Sequence, residues 1–199
     1  CEAMIGRAFE GKLPDGVRVT TKYSLGTVAP DQAYDQLRAS LEHSLVAMRL
    51  ERVDMMLLHS EIRPDDFEYP PGQPPKDERS TALTFYREAV RPAFAQLVRD
   101  GLIGDWGITG INHAAATIAA FSDGPLPAAV QAIANLLDSP GEMNGTGLDP
   151  RPRDVIAAAK AAGVGVMGVR AVQAGALTGA LDRDDNSPTS RDFARAEPF

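Results

Sequence analysis

The sequence predicts an α/β protein of the (β/α)8 barrel type, incomplete over these 199 residues, and three observations predict it. Strand-like and helix-like patterns alternate along the chain without a repeat or a linker, the order that builds a parallel sheet with helical crossovers. The strand-like runs are apolar along most of their length, as strands covered on both faces are. Polar residues close those runs: Lys22, His59, Thr109, Arg170 and, toward the end of its run, Gln131. Barrel enzymes collect their chemistry at the carboxyl ends of several strands. The other architecture for this order is a doubly wound nucleotide-binding sheet, which carries a G-x-G-x-x-G turn after an early strand; no early strand is followed by one here.

Each element has its own signal. Glu2-Ala3-Met4-Ile5-Gly6-Arg7-Ala8-Phe9 reads as an amphipathic helix. A chain that opens on Cys1 and enters a helix at once reads as a segment beginning inside a fold; a lipidated or nucleophilic terminal cysteine is disfavoured because no flexible tether follows. Pro14-Asp15-Gly16 is a turn, and Val17 to Lys22 a β-branched strand. A long helix is expected from Pro30 to about Arg49, with Leu37, Leu41, Leu45 and Met48 on one face. Val53 to His59 is a buried strand. Residues 61–79 hold Pro64, Pro70, Pro71, Pro74 and Pro75 with Glu61, Asp65, Asp66 and Glu68, an irregular loop of the kind that is more often functional than filler.

From Ser80 to Asp100 a helix is expected with Tyr86, Val90, Phe94 and Leu97 inward and a bend or restart at Pro92. Gly101 to Thr109 is a turn and strand, Asn112 to about Phe121 a helix, and Ala129 to Ala134 a strand. Asp149 to Ala162 reads as an Ala-rich helix capped by Asp149 and stopped by Gly163. Val164 to Arg170 is the fifth strand, followed by Gly175-Ala176-Leu177-Thr178-Gly179. The whole of 1–199 is expected to be one domain.

Composition bounds the function. Hydrophobic residues at 44% and charged residues at 24% are ordinary globular values. A net charge of −7 argues against a nucleic-acid partner held on a basic surface. One cysteine permits neither an intrachain disulfide nor a cysteine zinc site. No apolar run approaches the ~20 residues of a membrane span and no secretory signal is visible, so a cytoplasmic protein without a membrane partner is expected. Nothing in the sequence sets the oligomeric state.

Lys22 and His59 are the chemistry-bearing pair. Strand-end residues of neighbouring parallel strands lie about 5 Å apart, so a cation and an imidazole can meet over one substrate. They suit the stabilisation of an oxygen gaining negative charge, or the tuning of a general acid. Lys22 as a Schiff-base lysine is the rival enzymatic reading. His43 and His113 lie on helices or their starts and read as structural or exposed. No His/Asp/Glu cluster has metal-ligand spacing, and no nucleophile signature such as G-x-S-x-G is present.

The ordered pieces resemble the aldo-keto reductases. Thr21-Lys22 is similar to that family's strand-end T-K, and Leu41-Glu42-His43-Ser44-Leu45 with Leu50-Glu51-Arg52-Val53-Asp54 to its "LE-SL-RL--DYID" stretch. Leu57-Leu58-His59 resembles the strand with the catalytic histidine, and Gly101 to Thr109 resembles "GKIR-IGVS". Val130-Gln131 with Asn135, Gly163 to Met167, and Ala174 to Gly179 resemble the following strand, the "GV-VM" strand and the "G-LTG" loop. The resemblance implies about strands 3 to 7 of the barrel and reduction of an aldehyde or ketone of a small-molecule substrate by NADP(H). A tyrosine paired with lysine and aspartate would give the proton. It assigns Lys22 to tuning that donor and His59 to orienting the carbonyl. It assigns Thr109 and Gln131 to the nicotinamide carboxamide with Asn135 close behind them, Gly175 and Leu177 to the pyrophosphate, and Arg170 to the stretch beside the nicotinamide ring.

Three departures accompany the resemblance. Gly110 stands where the family usually has asparagine, and Val169-Arg170 where it has a ring-stacking aromatic. The D-x4-Y segment would precede Glu2 and is not within the sequence, and the last strand and 2′-phosphate segment would follow Phe199. Tyr23 and Tyr34 are out of place to substitute, so the segment alone is expected to be inactive, and NADP cannot be told from NAD. A non-catalytic binding or regulatory subunit of the same fold is the alternative.

Overall fold

The computed structural model describes residues 1–69, 80–137, 149–178 and 197. Helix α1 (Glu2–Phe9) precedes strand β1 (Thr20–Tyr23), and a single 3-10 turn at Pro30–Gln32 leads into α2 (Ala33–Met48). Then come β2 (Val53–Arg63), β3 (Ser80–Ala82), the short α3 (Leu83–Phe85), a π-turn at Tyr86–Val90, and α4 (Arg91–Arg99). The remainder is β4 (Ile103–Thr109), α5 (Ala114–Ala119), β5 (Ala129–Ile133), α6 (Pro152–Ala162), β6 (Gly165–Val169) and a 3-10 helix Gln173–Thr178.

The strands form one sheet in the order β1-β2-β4-β5-β6, with β3 on the end of β2, and every pair is parallel. Consecutive strands are neighbours and helices fill the crossovers, which is the arrangement of a run of adjacent barrel strands rather than of a doubly wound sheet, whose strand order reverses. Gly163-Val164-Gly165-Val166-Met167-Gly168 has the G-x-G-x-x-G spacing, yet Gly165 onward is strand β6 itself with no phosphate-binding turn.

The core lies between the sheet and its outer helices. Leu37, Leu41, Leu45 and Met48 are all buried, as their spacing predicts. Tyr86, Val90, Phe94 and Leu97 are each 0% exposed. Phe94 stacks on Trp106 of β4 with centroids 5.3 Å apart, and Tyr86 tilts against the same indole at 6.1 Å. The aromatic pairing joins the helix after β3 to the centre of the sheet. At the opposite face of the strands Gly107 has no side chain, and a Cβ there would stand 2.5 Å from Leu57 Cδ2. That gap lets Leu57 lie across β4, where it is 1% exposed.

Three expectations are corrected and one is met. Ser80–Ala82 is a strand, not the start of a helix, because it pairs with Glu61–Arg63 at the end of a longer β2. The restart expected at Pro92 is present: a π-turn at Tyr86–Val90 ends just before α4, which carries Pro92 in its first turn, where a missing amide costs nothing. Asn112 does not begin α5, which runs only from Ala114 to Ala119. Asp149 does not cap α6: it bridges to His113 and holds Arg151, while Arg151 takes the cap position and Pro152 the first helical turn. Residues 70–79 of the expected loop, and Gly179, lie outside the described residues.

Candidate active site

Lys22 is the third residue of β1 and pairs in register with Leu57 of β2. Its side chain is exposed, and Lys22, Thr20, Thr21, Leu57, Gln131 and Met167 line a cavity of about 490 Å³ together with Cys1 and Glu2. Four strands therefore contribute residues to one hollow. Thr21 Oγ1 donates to Glu2 Oε1 at 2.6 Å, which holds the first turn of α1 at the cavity rim.

His59 stands at an irregularity. Leu58 faces Ile108 of β4, but the next paired residue, Thr109, faces Glu61 instead of His59. His59 and Ser60 are thus a two-residue bulge in β2, and bulges re-aim side chains beside active sites. The two residues part: Ser60 is 0% exposed and its hydroxyl accepts from the Gly26 amide at 2.7 Å, whereas His59 is exposed. The His59 ring meets Ser24, with Oγ 3.3 Å from Nδ1.

Thr109 is buried at the end of β4, donates to the Leu58 carbonyl at 2.9 Å and lies 3.5 Å from Gln131 Oε1. It pairs in register with Gln131, so these two residues share a level of the sheet with Met167 of β6. Gly110 follows with its absent Cβ directed at the helices: a methyl there would come within 2.8 Å of Thr117 Cγ2 and Val130 Cγ2. Position 110 therefore packs against the outer layer, which accounts for glycine where the resemblance leads one to expect asparagine.

The remaining predicted residues form a second group beyond β5 and β6. Asn135 Nδ2 donates to the Arg170 carbonyl at 3.0 Å and to Gln173 Oε1 at 2.9 Å, and its Oδ1 accepts from the Leu137 amide. Arg170 lies one residue past β6, not within it, at φ 57°. The amides of Gly175 and Leu177 both close onto the Val172 carbonyl, at 2.9 and 3.2 Å. Asn135 thus ties the two strand-end segments together, and the described contacts of Gly175 and Leu177 belong to the 3-10 turn.

Of the other candidates, His43 is exposed on α2, and Tyr34 bonds Asp100 at 2.5 Å on the surface. His113 is 4% exposed, packs edge-on against Phe67 at 4.5 Å, and has no hydrogen-bond partner for Nε2 among the described residues. Burial, with Arg63 nearby, drives its pKa down to about 4, against a smaller upward pull from Asp149. Ser24, Ser60 and Glu2 belong to the site neighbourhood and were not singled out by sequence, since a serine two residues beyond a strand-end lysine carries no pattern of its own.

The fold is a parallel α/β sheet of barrel type, with Lys22 of β1 and Gln131 of β5 lining one hollow. The chain belongs to the aldo/keto reductase family, whose model matches residues 1–196. No curated protein matches it in sequence. Among solved structures it is similar to a putative 2,5-diketo-D-gluconic acid reductase B (24% identity, TM-score 0.53), covering 90% of this chain and 52% of that one. An aldo-keto reductase from Klebsiella pneumoniae in complex with NADPH shares 21% identity at TM-score 0.55, with 88% of this chain and 49% of that one covered. One from the silkworm, Bombyx mori, shares 17% at 0.56, covering 94% and 50%. The chain spans about half the length of these structures.

Proposed function

We propose that the protein is an NADP(H)-dependent oxidoreductase that reduces an aldehyde or ketone carbonyl of a small molecule. The observation that carries the proposal is the single hollow lined by Lys22 and Gln131, with Leu57 on its wall and His59 raised from the ladder two residues further on. Family membership and relatives crystallised with NADPH support the cofactor class. When bound, the nicotinamide would supply the hydride.

Thr109 and Gln131 suit a primary carboxamide. The Thr109 hydroxyl spends its proton on Leu58 and keeps lone pairs to accept, while Gln131 offers both donor and acceptor. Their adjacent registers direct these groups to one level of the sheet. Asn135, Arg170, Gly175 and Leu177 would hold the remainder of the cofactor only if the 3-10 turn rearranges around it, because their described bonds are internal.

His59 would donate to the carbonyl oxygen and fix its direction, and Lys22 would stabilise the developing charge on the proton donor. Cys1 lines the same hollow as Lys22, so a tyrosine supplied from residues preceding Cys1 would arrive beside that lysine. The compartment proposed is the cytoplasm; no helix among the described residues is long and apolar enough to cross a membrane.

The test follows NADPH absorbance with a panel of aldehydes and ketones on the full-length protein, alongside NADPH binding by fluorescence. Turnover that falls by on the order of 10² or more in Lys22→Met and in His59→Ala, with the NADPH Kd unchanged, is expected. Absence of both turnover and NADPH binding in the unmutated protein overturns the proposal.

A further inference from the structure

His59 has left the β2–β4 ladder, so the strand pairing that fixes an ordinary strand residue does not fix its ring. Something outside the strand must set the ring if it is to meet a carbonyl at a defined angle. The segment after β1 provides this. Gly26 is held at both ends of its peptide: its amide donates to Ser60 Oγ at 2.7 Å, and its carbonyl accepts from Thr81 Oγ1 at 3.0 Å. Thr27 Oγ1 donates to the Ser80 carbonyl at 3.2 Å. Ser60, Ser80 and Thr81 are each 0% exposed, so the anchors are buried and the loop is fixed to β2 and β3. Two residues before Gly26, Ser24 brings Oγ to 3.3 Å from His59 Nδ1. Ser60, the inward half of the bulge, thus anchors the loop that reaches the outward half.

We infer that Ser24 is a positioning residue that fixes the ring of His59 and its tautomer, with the serine O–H donating to Nδ1 so that Nε2 carries the proton. This rests on the carbonyl-reductase reading for its consequence, though not for the contact itself. A neutral imidazole has one N–H and one lone pair, and the group at one nitrogen decides which end faces outward as donor. A backbone carbonyl at Nδ1 would force the proton onto Nδ1 and leave Nε2 as an acceptor, unable to donate to a carbonyl oxygen. A hydroxyl can donate, and it therefore permits the Nε2–H form that carbonyl orientation needs. The pair is solvent-accessible, so its effect is on geometry and proton placement rather than on the stability of the fold.

The experiment records long-range ¹H–¹⁵N spectra of the histidine rings at neutral pH on full-length protein, with His59→Gln used to identify the His59 signals. The expected spectrum is that of a fixed Nε2–H tautomer, replaced in Ser24→Ala by averaged ring shifts and retained in Ser24→Thr. In turnover assays Ser24→Ala is expected to lower kcat fivefold to tenfold with the NADPH Kd within twofold of its original value, and Ser24→Thr to restore at least half. An Nδ1–H signature in the unmutated protein, or His59 signals that Ser24→Ala leaves unchanged, overturns the inference. If no carbonyl is reduced at all while the spectra respond as expected, the positioning role stands and the reductase reading fails.

Discussion

Tyr86 is 0% exposed beside Trp106, and its hydroxyl has no hydrogen-bond partner among the described residues. Burial drives its pKa well above the usual phenol range, with Arg91 and Arg87 pulling weakly the other way. A buried hydroxyl without a partner costs about 1–3 kcal/mol, and phenylalanine fills nearly the same space. Tyr86→Phe is therefore expected to stabilise the protein by about 1 kcal/mol, read as a higher urea midpoint at unchanged slope. Gly110 gives the opposite case. Gly110→Asn, which would restore the family's usual residue, forces a Cβ within 2.8 Å of two methyl groups on the helix side. A loss of about 1–3 kcal/mol is expected, the ordinary cost of overpacking, and thermal denaturation measures it. A stable Gly110→Asn protein would mean that position 110 faces the cofactor instead.

At the scale of elements, β2, β4, β5 and β6 were legible as largely apolar runs and β1 as a β-branched one, although their ends fall up to a few residues from where the sequence places them. The faces of α2 and α4 were legible because leucine and aromatic spacing follows the helical turn. What escaped has physical reasons. Strand β3 is three residues, Ser80–Ala82, with no apolar alternation, and exists because β2 overruns to Arg63 and offers it a ladder. The bulge at His59-Ser60 leaves no trace in composition, since only the β4 register reveals it. Lys22, His59 and Gln131 were legible as polar residues in strand-like runs, but not as strand ends, since β1 runs on to Tyr23, β2 to Arg63 and β5 to Ile133; the Ser24 contact depends on a loop folding back, which spacing along the chain does not encode. Helix α1 was legible from its amphipathic pattern, whereas its close packing on α2 leaves no signal in the sequence. Gly6 lies so close to α2 that a Cβ would stand 2.2 Å from the Ala47 carbonyl oxygen. Gly6→Ala must separate the two backbones, and the cost is expected to exceed 2 kcal/mol despite alanine's better helix propensity. Hydrogen exchange checks it: protection in α1 should fall while β2 and β4 keep theirs. Because Glu2 bonds Thr21 at the rim of the Lys22 hollow, the same change should raise the KM for a carbonyl substrate.

At the scale of the whole molecule, His113 gathers segments that are far apart in sequence. Its ring packs on Phe67 from the segment after β2, its backbone bridges to Asp149 ahead of α6, and its carbonyl receives the Thr117 amide of α5. Arg63 and Asp149 are the charged groups that act on the ring. The folded pKa of about 4 is below the ordinary histidine value of 6.5, so the unfolded chain binds a proton more readily than the folded one between those limits. Stability should therefore be fully present above about pH 6.5, fall as the pH drops toward 4, and level off below it as far as this group is concerned. The size is on the order of 2 kcal/mol. Carboxylates such as Asp65, held below the usual carboxylate range by hydrogen bonds from Thr84, add losses only at lower pH. His113→Phe keeps an aromatic edge for Phe67 and removes the titrating group. Urea unfolding at pH 7 and pH 4.5 should show the unmutated protein losing more stability than the variant, by about 1–2 kcal/mol. Equal losses in both proteins would mean that His113 is protonated without cost to the fold.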